Sequence, residues 1–263
     1  MSHQYRYKMR HAITFSTILL MAPAATATAQ SLQLAAVKTY ERQLFDVTEI
    51  IDTTYLKNKL VATEAEARHN PNELTKVRLG IVYHEVTLNL TFLTKTGYRG
   101  YAQKSFDLLN ELANDARTTP EAMPIIQAYR ASALALVGAE TRKTSLLGQS
   151  FALFGETISA YAAVSASPEF LRGSVAENLP WFFFGKRKAA RHDFGSIIEK
   201  QRQNPSYADA KIMSFTYWAW ANQHQSKKHR QQALSYLDQA ILLDSNYQSG
   251  RKRAETLKAK WLN

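Results

Sequence analysis

Five histidines follow residue 29: His69, His84, His192, His224 and His229. Two of them precede a carboxylate, in His84-Glu85 and His192-Asp193. A helix-borne zinc hydrolase needs a second histidine four residues after the first, and no pair here has that spacing. There is no cysteine, which excludes a thiolate nucleophile, thiolate metal ligands and disulfides. No nucleophile-elbow, phosphate-loop or dinucleotide glycine pattern occurs. His192, Asp193 and Glu177 are the residues from which a hydrolytic site could be built, and no nucleophile accompanies them. The expectation is therefore no enzyme, no metal and no cofactor. His84, set in an apolar stripe, is expected to be a hydrogen-bonded core residue.

Binding chemistry is better represented. Trp181-Phe182-Phe183-Phe184 precedes Gly185 and the basic run Lys186, Arg187, Lys188. A helix cannot bury four consecutive side chains on one face. In the simpler reading, two or three rings fill a hairpin turn and the cations cap a helix end. In the other, an aromatic tip beside cations meets an anionic membrane surface or a partner. Lys227, Lys228 and Arg230 form a second basic turn. Arg251, Lys252 and Arg253 open the last helix, the end at which cations oppose the helix dipole.

The formal net charge of +11 is unevenly placed. Residues 1–29 carry +3, residues 30–170 carry −1 and residues 171–263 carry +9. A basic end of this kind suits an anionic envelope surface or a merely solvated face. Arg6, Lys8 and Arg10, the apolar run from Ala12 to Met21, Pro23 and Ala27-Thr28-Ala29 read as a cleavable export signal. The expected location is periplasmic or extracellular after cleavage near Ala29, which removes nucleic acid from the expected partners. The sequon Asn89-Leu90-Thr91 is then accidental.

These residues must be positioned by helices. Val77, Ile81, His84 and Leu88 follow a 3.6-residue period, as do Leu34, Val37, Leu44 and Val47. No useful stretch alternates with period two, so the fold is expected to be all-α. Asn70-Pro71, Thr119-Pro120, Ser167-Pro168 and Asn204-Pro205 each read as an N-cap with proline at the first helical position. They divide the chain into five blocks of about forty residues, the length of a two-helix hairpin. Leu146 to Val164 is apolar almost all round and is expected to be central and buried.

Within residues 205–245, Tyr217, Trp220, Ala221, Ala233, Leu237 and Ala240 surround a polar turn at Gln225 to Lys228. This segment resembles a tetratricopeptide repeat. Residues 168–204, through Phe170-Leu171-Arg172-Gly173, Ala190 and Phe194, resemble a more divergent one, and Leu79-Gly80 with Tyr83 carries a fainter signal. The resemblance implies a right-handed α-α superhelix of about five hairpins over residues 30–263. Its hairpins are divergent over 31–167 and clearest at 168–204 and 205–245, with a capping helix at 246–261. It also implies a concave groove lined by first helices, into which Phe215, Trp218, Asn222 and Gln225 would point; the simpler reading of Phe215 and Trp218 is packing against the preceding hairpin. The expected function is an exported, non-catalytic scaffold or adaptor that holds a protein or peptide partner. The alternatives are a small-ligand carrier, with a cavity among the helices of residues 120–165, and a protein attached to the envelope surface by its basic end.

Overall fold

Helical periodicity becomes eleven α-helices, with no strand, among the described residues. The computed structural model describes residues 32–91, 93, 94, 96–243 and 248–262. The expected leader, residues 1–29, lies outside them. The helices are α1 (Leu34–Arg42), α2 (Thr53–His69), α3 (Glu73–Leu90), α4 (Tyr101–Asn114), α5 (Met123–Thr141) and α6 (Thr144–Tyr161). They continue as α7 (Ser167–Asn178), α8 (Phe184–Gln203), α9 (Ala210–Gln223), α10 (Arg230–Leu243) and α11 (Gln248–Leu262).

From α2 onward, each helix packs against the next. Among alternate helices, α3, α5, α7, α9 and α11 also pack in succession, whereas the even-numbered helices make no comparable contact with one another. The odd-numbered row is therefore the tighter, inner one. Small residues set the spacing between paired helices, because they let backbones approach. A Cβ on Gly80 would meet Leu109 of α4 at 2.7 Å, and one on Gly173 would meet Phe194 of α8 at 2.9 Å. Ser105, Ser150 and Ser214 each donate to a carbonyl of the paired helix, at Gly80 (2.7 Å), Ala131 (2.6 Å) and Ala240 (2.8 Å). Ala221, Ala233 and Ala240 are fully buried where α9 meets α10.

Local signals need three amendments. The prolines do mark turns, but α3 is capped by Asn72, in a reciprocal pair with Thr75, and α9 by Asp209. The capping carboxylate or amide must sit where the first free N–H groups point, whatever precedes it. Residues 146–164 are not buried all round. Helix α6 is an outer helix with one buried stripe, Leu147, Ser150, Phe154 and Thr157. Its solvent face carries small and polar residues such as Gly148, Gln149, Ala152, Glu156 and Ser159, and Leu146, Phe151, Leu153 and Ile158 are half-buried beside the stripe. The enclosed helix is α5, buried along most of its length.

The block 31–70 has a different build from the later hairpins. Helix α1 does not lie along α2, and the segment that follows it crosses to the inner row. Lys211 of α9 donates to the carbonyls of Phe45 (2.7 Å) and Thr48 (2.8 Å), with its ammonium 4.2 Å from the Phe45 ring centre. Ser165 and Ser167 donate to Glu41 (2.5 and 3.2 Å). Asp46 accepts both arms of Arg78 (2.8 and 2.7 Å) and the Lys59 ammonium (2.9 Å). Leu44, Val47 and Ile50 are buried in the common core, so this segment is part of the fold rather than an appendage.

Candidate functional site

The inner row does not close completely. A cavity of about 530 Å³ lies among α3, α5, α7, α9 and α11, with Glu49 and Ile51 of the crossing segment at its edge. Leu88, Leu136, Leu147, Val175, Leu179 and Phe215 give it apolar walls. These side chains reach one space because they lie on the same face of helices whose spacing is fixed by the glycine and alanine contacts above.

A buried polar cluster forms one wall. Positions 85 and 89 are one helical turn apart, next to His84, so all three residues of α3 face α5 and the crossing segment. His84 has 2% exposure, Glu85 1% and Ser132 3%. His84 Nδ1 is 3.2 Å from Glu85 Oε1, and Nε2 is 2.8 Å from Ser132 Oγ. A carboxylate only accepts, so Nδ1 carries the proton and Nε2 accepts from the serine hydroxyl. The Ile50 N–H and the Asn89 amide donate to Glu85 Oε2 (3.3 and 3.4 Å), and Asn89 also donates to the Ile50 carbonyl (3.0 Å). The Tyr129 ring stands edge-on to His84, 5.0 Å between centres. This makes His84 the bonded core residue that its setting implied.

Serine, imidazole and carboxylate in this order have the connectivity of a nucleophilic relay. Acyl transfer also needs donors for the developing oxyanion. Ser132 sits in the middle of α5, where backbone N–H groups are committed to carbonyls four residues back. The cluster's chemistry is therefore that of a rigid hydrogen-bonding wall. Of the other hydrolytic candidates, His192 Nδ1 lies 3.3 Å from Asp193 Oδ1 with the His192 side chain 75% exposed, and Asp193 is fully buried and also held by Arg172 (2.6 and 2.8 Å). Glu177 accepts from Asn222 (2.9 Å) and Gln223 (2.6 Å). No group of three or more metal-ligating side chains occurs among the described residues.

The opposite wall carries positive charge. The Arg253 guanidinium lies 5.2 Å from the Phe215 ring centre and 4.7 Å from that of Trp218, and these two rings pack edge to face. Arg253 makes no ion pair among the described residues. The Ser174 hydroxyl, of another residue lining the cavity, is buried without a hydrogen-bond partner. Phe215 thus reaches the cavity and Trp218 backs it. Asn222 and Gln225 lie at the far end of α9, where Gln225 donates to Asn222 (2.9 Å). Among the basic residues, Arg251 pairs with Glu255 (2.9 Å), Lys252 is exposed, and Arg230 donates to the Trp261 carbonyl (2.5 Å). Lys186 sits 4.6 Å from the Phe151 ring centre, and Lys188, Lys227 and Lys228 are exposed while Arg187 is half-buried.

Trp181 (78%), Phe182 (57%) and Phe184 (70%) are largely exposed. The expectation that two or three of these rings fill the core is corrected: only Phe183 is half-buried. Asn89, the sequon asparagine, turns its amide nitrogen inward to the bonds described above. Sequence reasoning missed Ser132, Glu85 and Asn89. A trace of the last two was present as polar residues one turn apart on the apolar stripe of α3, whereas Ser132 had no local signal. No protein-family model, curated protein or solved structure matches this chain.

Proposed function

We propose that this chain is an exported, non-catalytic binding protein of the tetratricopeptide-like superhelical kind, and that its ligand is an elongated apolar molecule with an anionic end. The observation that carries the reading is the cavity among the odd-numbered helices, apolar along its walls, with Arg253 and the unpartnered Ser174 hydroxyl on one side. Its size is in the range that encloses a small ligand. A buried donor without a partner is costly unless something satisfies it. An exported location, periplasmic or extracellular, follows from the leader pattern.

The same geometry counts against a long peptide laid along the inner row. Residues 45–50 already run across α9 and α3, and the groove that a peptide would follow is shared with this segment. Asn222, whose amide a peptide backbone would use, is engaged by Glu177.

Native mass spectrometry of the protein taken from its own envelope fraction tests the proposal. A bound lipid or metabolite should accompany the wild type. It should be lost from Ala139→Trp, in which a large ring is added at the cavity wall, at an unchanged melting temperature. An empty wild type that gains no thermal stability from any amphipathic anion would refute it.

A further inference from the structure

The geometry points to a second surface, independent of the cavity: the aromatic tip at residues 181–184 and the basic turns beside it form a docking site for an anionic lipid bilayer. In an array of antiparallel hairpins, every turn from an odd to an even helix lies on the same edge. Three contacts place the α7–α8 and α9–α10 turns and the end of α11 on one edge, and the end of α5 joins them through Ala139, which lines one cavity with Asn178 and Leu179. Gln223 at the end of α9 bonds Glu177 at the end of α7 (2.6 Å), Arg230 at the start of α10 bonds the Trp261 carbonyl at the end of α11 (2.5 Å), and Trp220 packs on His229 across the α9–α10 turn, 6.0 Å between centres.

On this edge, residues 142–143, 181–191 and 224–230 contain nine lysines and arginines and no aspartate or glutamate. None of the nine forms an ion pair among the described residues. Fold stability does not account for the central group. Lys186, Arg187 and Lys188 fall at the start of α8, which has no acidic residue in its first turn. A helix N-terminus carries partial positive charge and disfavours cations. Nor does the core need the rings. Trp181 packs on Phe182 (6.0 Å between centres) and Phe182 on Phe183 (4.8 Å), and Trp181, Phe182 and Phe184 otherwise face water.

Exposed aromatics flanked by unpaired cations have one natural complement. The rings enter the headgroup boundary, where tryptophan is preferred, and the cations meet lipid phosphates. No described helix is long and apolar enough to cross a membrane, so attachment is to the surface. The pairing of ring burial with charge distinguishes a bilayer from a soluble polyanion, which would leave the rings exposed.

The test uses residues 32–263, which form one compact unit with its own core. They are mixed with vesicles of phosphatidylcholine alone or with one third phosphatidylglycerol, at physiological salt. Binding is expected to the anionic vesicles, with Trp181 emission shifted to the blue and quenched by brominated acyl chains. Replacing Trp181, Phe182 and Phe184 together by alanine should weaken binding at least about tenfold, the equivalent of losing partial burial of one ring. Arg187→Gln with Lys188→Gln should weaken it about twenty-five-fold, about fivefold per cation. Circular dichroism and melting temperature should stay unchanged in both variants, because the three rings and Lys188 are exposed and the half-buried Arg187 makes no ion pair among the described residues. Equal binding to neutral vesicles, binding untouched by either variant, no vesicle binding, or a tip-dependent dimer in its place would each overturn the assignment.

Discussion

Replacing His84 by alanine tests the polar wall of the cavity most directly. The change deletes hydrogen bonds of 2.8 Å to Ser132 and 3.2 Å to Glu85, and the edge-on contact with Tyr129. Glu85 keeps only its longer bonds from Ile50 and Asn89, at 3.3 and 3.4 Å, while remaining 1% exposed. A buried polar group that loses its partner costs about 1–3 kcal/mol, and the lost ring pair about 0.5–1.5 kcal/mol. The expected loss of stability is thus about 2–4 kcal/mol. Ser132→Ala removes only a hydroxyl, leaves the His84–Glu85 bond intact and exposes Nε2 to a cavity that can admit water. Its expected cost is about 1 kcal/mol. In the double variant no serine hydroxyl is stranded, so the combined loss should fall short of the sum by about 1 kcal/mol. Urea unfolding followed by far-ultraviolet circular dichroism measures all three variants. Additivity within about 0.3 kcal/mol would show that His84 and Ser132 are not coupled, and would refute the bonded wall.

Two further outcomes follow from the packing and the charges. Gly250→Ala places a Cβ 2.6 Å from the Ser214 carbonyl carbon and 2.7 Å from the Phe215 nitrogen of α9, backbone atoms that cannot yield. It should cost about 1–3 kcal/mol and free α11 first, seen as early loss of hydrogen-exchange protection at Ala254 and Leu257; unchanged protection would refute the close approach. The Asp46 carboxyl is held well below the usual carboxylate range by hydrogen bonds from Arg78 and then Lys59. Its contribution is present above its unfolded value of about 3.9 and is lost as the pH falls. With its side chain 44% exposed, Asp46→Asn should cost only about 1 kcal/mol at neutral pH, and should flatten the acid-induced loss of stability below about pH 4.

The helices were legible because their signals are local. The stripe of Val77, Ile81 and His84, the polar turn after Gln223 and the paired alanines at 221 and 233 each depend on residues within a few turns. Residues 146–164 misled because apolar composition reports what a helix can bury, while the neighbours decide which face is covered. The tetrad at 181–184 misled in the opposite direction. A hairpin turn has few partners to offer, so three rings stay in water.

The candidate site was visible only in fragments. Register leaves Phe215 either facing a groove or packed against the preceding hairpin; its ring packs on Phe170 and Phe194 of that hairpin and borders the cavity, while Asn222 and Gln225 meet α7 and the α9–α10 turn. Arg253 reads as surface charge and is exposed, while its place above Phe215 and Trp218 depends on how α11 returns across α9.

What the sequence determined by itself is the helical content, the turn positions, the lack of thiol chemistry and the concentration of positive charge in the last third. All of these are set by residue type or by spacings of a few residues. Tertiary structure alone decided that His84, Glu85, Asn89 and Ser132 form one network, 48 residues apart at its widest hydrogen bond, and that the chain after α1 crosses the inner row. Such contacts depend on the angle and distance at which helices pack, which follow from the sum of many side-chain volumes and not from any short pattern.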